Sequence, residues 1–255
     1  RQWTAVILAG QRPGTDPLAA HFEQEFKALV PLEGEAMLTH VVRSLNSCPH
    51  IGRIIVLSQN PGALDAVVVS GGGGEMLASN DGISSSLLGL LGSNEVDLPW
   101  LVTTADHPLL SQEMISEFIE KSGGDLSVAM VERKTMLAQF PDAKRTWLRF
   151  SDGGWSGANL FAFRSFEVQH ALELWAAAEK DRKQVWKLFL HFGPYLALRA
   201  ITRTISIRKA FDMAGKRLGL NARLVSMSDP VAAIDVDKPS DHALATEIFA
   251  KRRGL

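Results

Sequence analysis

Apolar residues along the chain fall into short continuous runs that alternate with stretches of helical spacing. Trp3-Thr4-Ala5-Val6-Ile7-Leu8-Ala9 is a continuously apolar, partly β-branched run ending at Gly10, the pattern of a strand buried on both faces of a sheet. Met37, Leu38, Val41, Val42 and Leu45 then recur at helical spacing over residues 36–45. Residues 51–57 read as a second strand. Strand, crossover helix and strand make a βαβ unit, which implies a parallel sheet. The alternation continues with residues 66–69 as strand, 83–91 as helix and 99–104 as strand. Residues 111–121 predict a further helix, with Ser111 as N-cap and Gln112 and Glu113 in its first turn. Gly123-Gly124 ends that helix, and residues 125–131 form another strand.

Between residues 165 and about 217 the pattern becomes mostly helical, with interruptions at Gly193-Pro194 and at residues 202–204. Strand character returns at residues 222–227 and 232–236, and an amphipathic helix over 240–253, capped by Ser240, closes the chain. The fold class expected is α/β: an open, mostly parallel Rossmann-like sheet flanked by helices. One domain over residues 1–255, with a helical insertion at about 165–217, accounts for the pattern. Ligands of such sheets sit beyond the carboxyl ends of the strands, so the loops after strands are where chemistry is sought.

Composition narrows the possibilities. The 255 residues are 46% hydrophobic and 22% charged, ordinary globular usage that requires neither disorder nor a disulfide scaffold. A net charge of −1 supplies no positive field for a nucleic-acid backbone, so nucleic acid is not an expected partner. The lone Cys48 sits in Asn46-Ser47-Cys48-Pro49, a turn after a helix, and has no cysteine to bridge to. The first ten residues lack the charged, apolar and cleavage regions of a signal peptide. No apolar run reaches the roughly twenty residues of a membrane span. A cytoplasmic location is the expectation.

Three clusters carry candidate chemistry. Leu8-Ala9-Gly10-Gln11-Arg12-Pro13-Gly14 leaves the first strand, and Lys27 opens Lys27-Ala28-Leu29-Val30-Pro31-Leu32. Glycine and exposed backbone N–H groups suit a triphosphate, whose charge a lysine and an arginine can neutralise; a glycine turn beside a solvated lysine is the bland alternative. Asp106 follows the strand that ends Thr103-Thr104-Ala105. Its oxygens can hold a hard cation or cap a helix, although Ser111 is the better cap. His107 suits shaping the turn, because magnesium prefers oxygen. Asp235 and Asp237 lie two apart in Ala233-Ile234-Asp235-Val236-Asp237-Lys238-Pro239, on one face if that segment is a strand. Ser79 to Leu87 reads as a serine-rich helix start, and Ser156 to Phe163 as a late strand in which Asn159 also suits a turn.

In this order the motifs resemble those of GT-A-like nucleotidyltransferases, especially the molybdenum-cofactor guanylyl- and cytidylyltransferase group. The first loop of that group reads roughly LAGGxSxRMGxxK, and its later motifs are an apolar strand ending AD-x-P and a late D-[IV]-[DN]-x-P-x-D. The resemblance runs from residue 8 to residue 241 and leaves the helical stretch uncovered. It departs from the family at Gln11, where a second glycine is usual, in the missing Arg-Met-Gly triplet, and in a loop lengthened by residues 15–26. What it implies is an Mg2+-dependent enzyme that moves a nucleoside monophosphate from GTP or CTP to a small phosphorylated acceptor and releases pyrophosphate. Leu8, Ala9, Gly10, Gln11 and Lys27 would bind the nucleotide, with Asn80, Gly82 and Ser86 under its base and ribose. Lys27, Arg12 and Asp106 would be catalytic, Asp106 and Asp237 would be the metal ligands, and Gly157 and Asn159 would face the acceptor.

Two rivals stand beside this reading. A GT-A glycosyltransferase using a nucleotide sugar would want Asp-x-Asp at the end of a middle strand, where this chain has Ala105-Asp106-His107-Pro108. A catalytically silent nucleotide-binding domain is compatible with the altered first loop. A dinucleotide dehydrogenase is disfavoured, because the first loop lacks G-x-G-x-x-G. The helical stretch, with Trp186, Phe189 and Phe192 beside Lys180, Lys183 and Lys187, has three readings. It packs on the core, forms a homodimer surface, or makes a lipid-like contact through residues 175–200.

Overall fold

The computed structural model describes residues 2–11, 14–79, 82–93, 95–180 and 194–254. The chain begins with β1 (Trp3–Leu8), α1 (Pro17–His21), the short hairpin β2 (Pro31–Leu32) and β3 (Glu35–Ala36), and α2 (Met37–Ser47). It continues through β4 (Ile51–Ser58), α3 (Pro61–Ser70), β5 (Glu75–Ala78), α4 (Ile83–Ser93), β6 (Trp100–Thr104) and α5 (Gln112–Lys121). Next come β7 (Leu126–Glu132), α6 (Arg133–Gln139), β8 (Leu148–Phe150), β9 (Gly153–Phe163) and α7 (Val168–Lys180). The last elements are α8 (Pro194–Ile201), α9 (Ile207–Arg217), β10 (Ala222–Ser226) and α10 (Pro239–Arg252).

The main sheet has the order β10-β7-β9-β6-β1-β4-β5, with β8 paired to β9. Strands pair in parallel except where β9 runs antiparallel to β6, β7 and β8. Every residue of β1 is buried, because β4 and β6 flank it and helices cover both faces. Ala5, Ile7 and Ala9 join one core layer with α2 and α5, while Val6 and Leu8 join the other with α4 and α7. Each large apolar side chain so buried contributes about 1.5–3 kcal/mol. The continuous apolar runs of the sequence thus mark the strands at the centre of the sheet.

Two predicted strands are something else. Residues 66–69 lie in α3, not in a strand. Pro61 presets its first turn, and Leu64 and Val68, one turn apart, face the core while Val69 is 64% exposed. Helical spacing with one covered face outweighs the β-branched preference of Val67-Val68-Val69. The strand itself is the polar-edged β5, reached through Gly72 and Gly73 at φ +112° and +92°, which glycine alone adopts at little cost. Residues 232–236 are likewise not a strand. Asp229 accepts a hydrogen bond from the Val231 N–H, and Pro230 starts a 3₁₀ turn over Pro230–Ala233. Nor does Ser240 cap the last helix: Lys238 holds that position without a side-chain bond, and the Asp241 carboxylate instead accepts from the Asp237 N–H at 3.2 Å.

In the helical stretch, Val168 and Leu172 of α7 are buried against the α4 side of the sheet, and the Trp175 ring lies 6.1 Å from that of Phe161. Leu196 and Ile207 are buried, whereas Tyr195, Leu198 and Ile201 are exposed. Residues 181–193, on which the homodimer and lipid readings chiefly rested, lie outside the described residues. No described helix is long and apolar enough to cross a membrane.

Candidate active site

The site forms where the carboxyl ends of β1 and β6 open. Sheet hydrogen bonding continues past both strands, with Ala9 N–H donating to Leu57 O at 2.9 Å and Ala105 N–H to Leu8 O at 3.0 Å. The first loop and the Asp106 turn therefore leave the sheet side by side. From the far end of the chain, Val236 N–H donates to Asp106 O at 2.9 Å. That one backbone bond brings Asp235 and Asp237 to the same edge, so Asp106, Asp235 and Asp237 each offer an oxygen within 4.8 Å of the others.

Lys27 lies on a 3₁₀ turn over Lys27–Leu29 and reaches into this cluster. Its ammonium is 2.6 Å from Asp106 Oδ2 and also pairs with Asp237 Oδ1. Burial opposes the Lys27 charge, yet the Asp106 and Asp237 carboxylates more than offset it and hold the ammonium above the ordinary lysine range. Asp106 is fixed on its other oxygen by Thr104 Oγ1, which donates at 2.6 Å.

Gln11, the departure from the family's loop, closes the lengthened connection. Its Oε1 accepts from the Lys27 N–H at 3.0 Å, and its Nε2 donates to Glu25 O at 3.2 Å and Gly14 O at 3.4 Å. The Gln11 N–H in turn donates to Gln59 Oε1 at 2.9 Å, the side chain that also lies 3.0 Å from where a Cβ on Gly10 would be. A glycine at position 11 could make none of the side-chain bonds. Leu8 and Ala9 are buried beneath this loop.

Sequence reasoning assigned Arg145 no part in the site. It lies between α6 and β8, where Ala143 and Trp147 pack on the core, Lys144 and Thr146 are exposed, and Arg145 turns inward with the first pair. Its Nη2 pairs with Asp235 Oδ1, and its side chain is only 16% exposed. Asn159 Nδ2 lies 3.4 Å from Asp235 Oδ2. Asn159 has φ +48°, in the left-handed region, opposite an irregularity in the β7–β9 register between Val128 and Met130. Such a bulge redirects a side chain, here towards the late aspartate. In Ala143-Lys144-Arg145-Thr146-Trp147 the two apolar residues, each two positions from Arg145, are the only sequence signal for it.

His107 is fully buried, and neither ring nitrogen has a partner among the described residues. Burial lowers its pKa to about 4, against the opposing pull of Asp106 and Asp235. It packs as a neutral ring beneath the Asp106 turn.

The remaining predicted residues that the structure describes lie towards the same edge. Gly82 has φ +107° and opens α4, where the Ser86 hydroxyl donates to Gly82 O at 2.7 Å. Gly157 pairs with Met130 near the carboxyl end of β7, and a Cβ added to it would meet no neighbouring atom. Arg12 and Asn80 lie outside the described residues. Three carboxylates at this spacing form an all-oxygen donor set of the kind hard cations take, so the residues present fit magnesium.

The sheet topology is that of an open, Rossmann-like nucleotidyltransferase fold. The chain belongs to the MobA-like NTP transferase domain family, whose model matches residues 5–195. A hypothetical transferase from Thermus thermophilus matches 95% of this chain and 100% of its own at 26% identity, with a TM-score of 0.79. The same fold recurs in 4-diphosphocytidyl-2C-methyl-D-erythritol synthase from Anaerococcus prevotii, at 12% identity and a TM-score of 0.58 over 98% of this chain and 96% of that one. It recurs again in CMP:2-keto-3-deoxy-manno-octonic acid synthetase complexed with CTP, at 13% identity and 0.59 over 98% and 100%. Among curated proteins no match is found.

Proposed function

We propose that this chain transfers a nucleoside monophosphate from GTP or CTP to a small phosphorylated acceptor, releasing pyrophosphate, with magnesium required. The observation that carries this reading is the meeting of Lys27 with Asp106 and Asp237 at the sheet's carboxyl edge, although the three residues come from widely separated parts of the sequence. Family membership supports it, as does a similarly folded relative solved with CTP.

Asp106 and Asp237 would hold the magnesium ion, which when bound would screen the negative charge of the phosphates. The backbone of Leu8, Ala9, Gly10 and Gln11 lines the triphosphate, with Asn80, Gly82 and Ser86 under the base and ribose. Gly157 and Asn159 face the acceptor. An acceptor phosphate oxygen attacks the α-phosphorus, and a new P–O bond forms as the bond to the bridging oxygen of the β-phosphate breaks. The electron pair of that bond leaves with pyrophosphate. Lys27 and Arg12 stabilise the departing charge. The acceptor phosphate is already ionised at neutral pH, so no general base is demanded, and the chain contributes chiefly positioning and electrostatics.

Thermal-shift measurement with each nucleoside triphosphate, with and without magnesium, tests this, since a ligand that binds only the native state raises its stability. A magnesium-dependent rise with GTP or CTP is expected. Stabilisation by nucleotide sugars alone would overturn the reading in favour of glycosyl transfer.

A further inference from the structure

The three carboxylates at the sheet edge face two cations, and the cations divide them: Lys27 takes Asp106 and Asp237, and Arg145 takes Asp235. The group as a whole carries one negative charge. Binding a divalent ion there leaves the carboxylates with a better counter-ion and leaves both side-chain cations in surplus, which two incoming phosphate groups can absorb. Lys27 belongs to the first loop. Arg145 lies at the other side of the sheet edge, where β9 carries Gly157 with open space at its Cβ position and Asn159 turned towards Asp235.

We propose that Arg145 is the residue that reads the acceptor's phosphate, with Asp235 as the internal anion that holds the guanidinium in place until that phosphate arrives. This rests on the nucleotidyl-transfer reading and adds to it the substrate-recognising group. Three features of Arg145 fit the role. The pair with Asp235 engages Nη2, and a guanidinium offers five N–H donors in a planar fork suited to phosphate. Ala143 and Trp147 anchor the segment on both sides, so the guanidinium is presented from a fixed backbone. And Asp235 occupies the place of a competing anion through its Oδ1, while its second oxygen is met by Asn159 at 3.4 Å. When a phosphate replaces it, Asp235 is freed to turn towards Asp106 and Asp237.

Titration calorimetry of the whole chain tests the exchange. The protein is first loaded with magnesium and the non-transferable α,β-methylene analogue of GTP or of CTP, and inorganic phosphate is then titrated as the surrogate for the acceptor's phosphate. Arg145→Ala should weaken phosphate binding at least tenfold, and Arg145→Lys, which keeps the charge but loses the fork, should fall between the two. Asp235→Asn, which removes the competing anion, should strengthen it. Opposite signs for the two partners are the decisive readout, because a merely structural ion pair would make both substitutions act alike. If Arg145→Ala does not fold, Arg145→Lys and Asp235→Asn carry the same comparison. Phosphate binding that ignores Arg145, or that weakens equally in both partners' variants, overturns the inference while analogue binding stands. Failure of both analogues to bind the parent overturns the transfer reading itself, and this inference with it.

Discussion

Lys27 Nζ lies 2.6 Å from Asp106 Oδ2, an ammonium seated on the carboxylate that the metal would need. An ammonium and a divalent cation held there would compete for the same oxygens. Lys27→Met should raise the affinity of the nucleotide-free protein for Mg2+ severalfold, because the internal competitor is gone. The variant should also melt lower than the parent without metal, as two neighbouring carboxylates lose their partner, and recover more of its melting temperature when magnesium is added. Triphosphate binding should weaken. Calorimetric titration of magnesium reads the first effect, and an unchanged or lower affinity would show that the ammonium does not compete.

Gln11 replaces a glycine of the family's loop with a side chain that binds residues 14, 25 and 27. Gln11→Gly removes those bonds and adds backbone freedom, so it should cost about 1–2 kcal/mol of stability in urea unfolding. The affinity for triphosphate should fall as the loop carrying the Lys27 N–H loosens. Unchanged unfolding would mean that the lengthened loop is held by something else.

His107 imposes a pH dependence with a definite sign. Its folded-state pKa is lowered from 6.5 to about 4 by burial, so between those values the unfolded chain takes up a proton that the folded protein refuses. Its contribution to stability is thus constant above about pH 6.5 and falls as the pH drops towards 4. His107→Leu lacks this term. The stability of the variant relative to the parent should improve by about 2 kcal/mol between pH 7.5 and pH 5.0 in paired urea titrations. Parallel curves for the two proteins would show that His107 is protonated, or reachable by water, in the folded state.

Much of this architecture was legible because buried parallel strands write themselves as short runs of apolar and β-branched residues, as Trp3 to Leu8 and Trp100 to Thr104 do. Residues 66–69 misled for a local reason: three consecutive valines favour a strand, and only the Pro61 start and the Leu64–Val68 spacing reveal the helix. Residues 232–236 misled because burial without regular backbone pairing looks the same in sequence as a short inner strand. Around the site, Asp106 stood out by following a strand and Asp237 by its place in the late D-[IV]-[DN]-x-P-x-D pattern, two residues before Pro239. Their meeting depends on the Val236 to Asp106 backbone bond, which no local pattern encodes. Arg145 was missed for the same kind of reason, since it sits on an irregular segment and finds its partner at Asp235, far along the chain.

If Asp106 and Asp237 hold the metal, triphosphate binding and transfer depend on magnesium. Calorimetric titration of GTP and CTP into the parent, Asp106→Asn and Asp237→Asn, each with and without magnesium, tests it most directly. The parent should bind one of the two only with magnesium present, and each substitution should abolish that dependence. Turnover with the matching acceptor should then drop by about 3 kcal/mol or more of barrier in the Asp106 variant, roughly a hundredfold in kcat. Triphosphate binding that is equally tight without magnesium, or that keeps its full magnesium dependence in both variants, would contradict it.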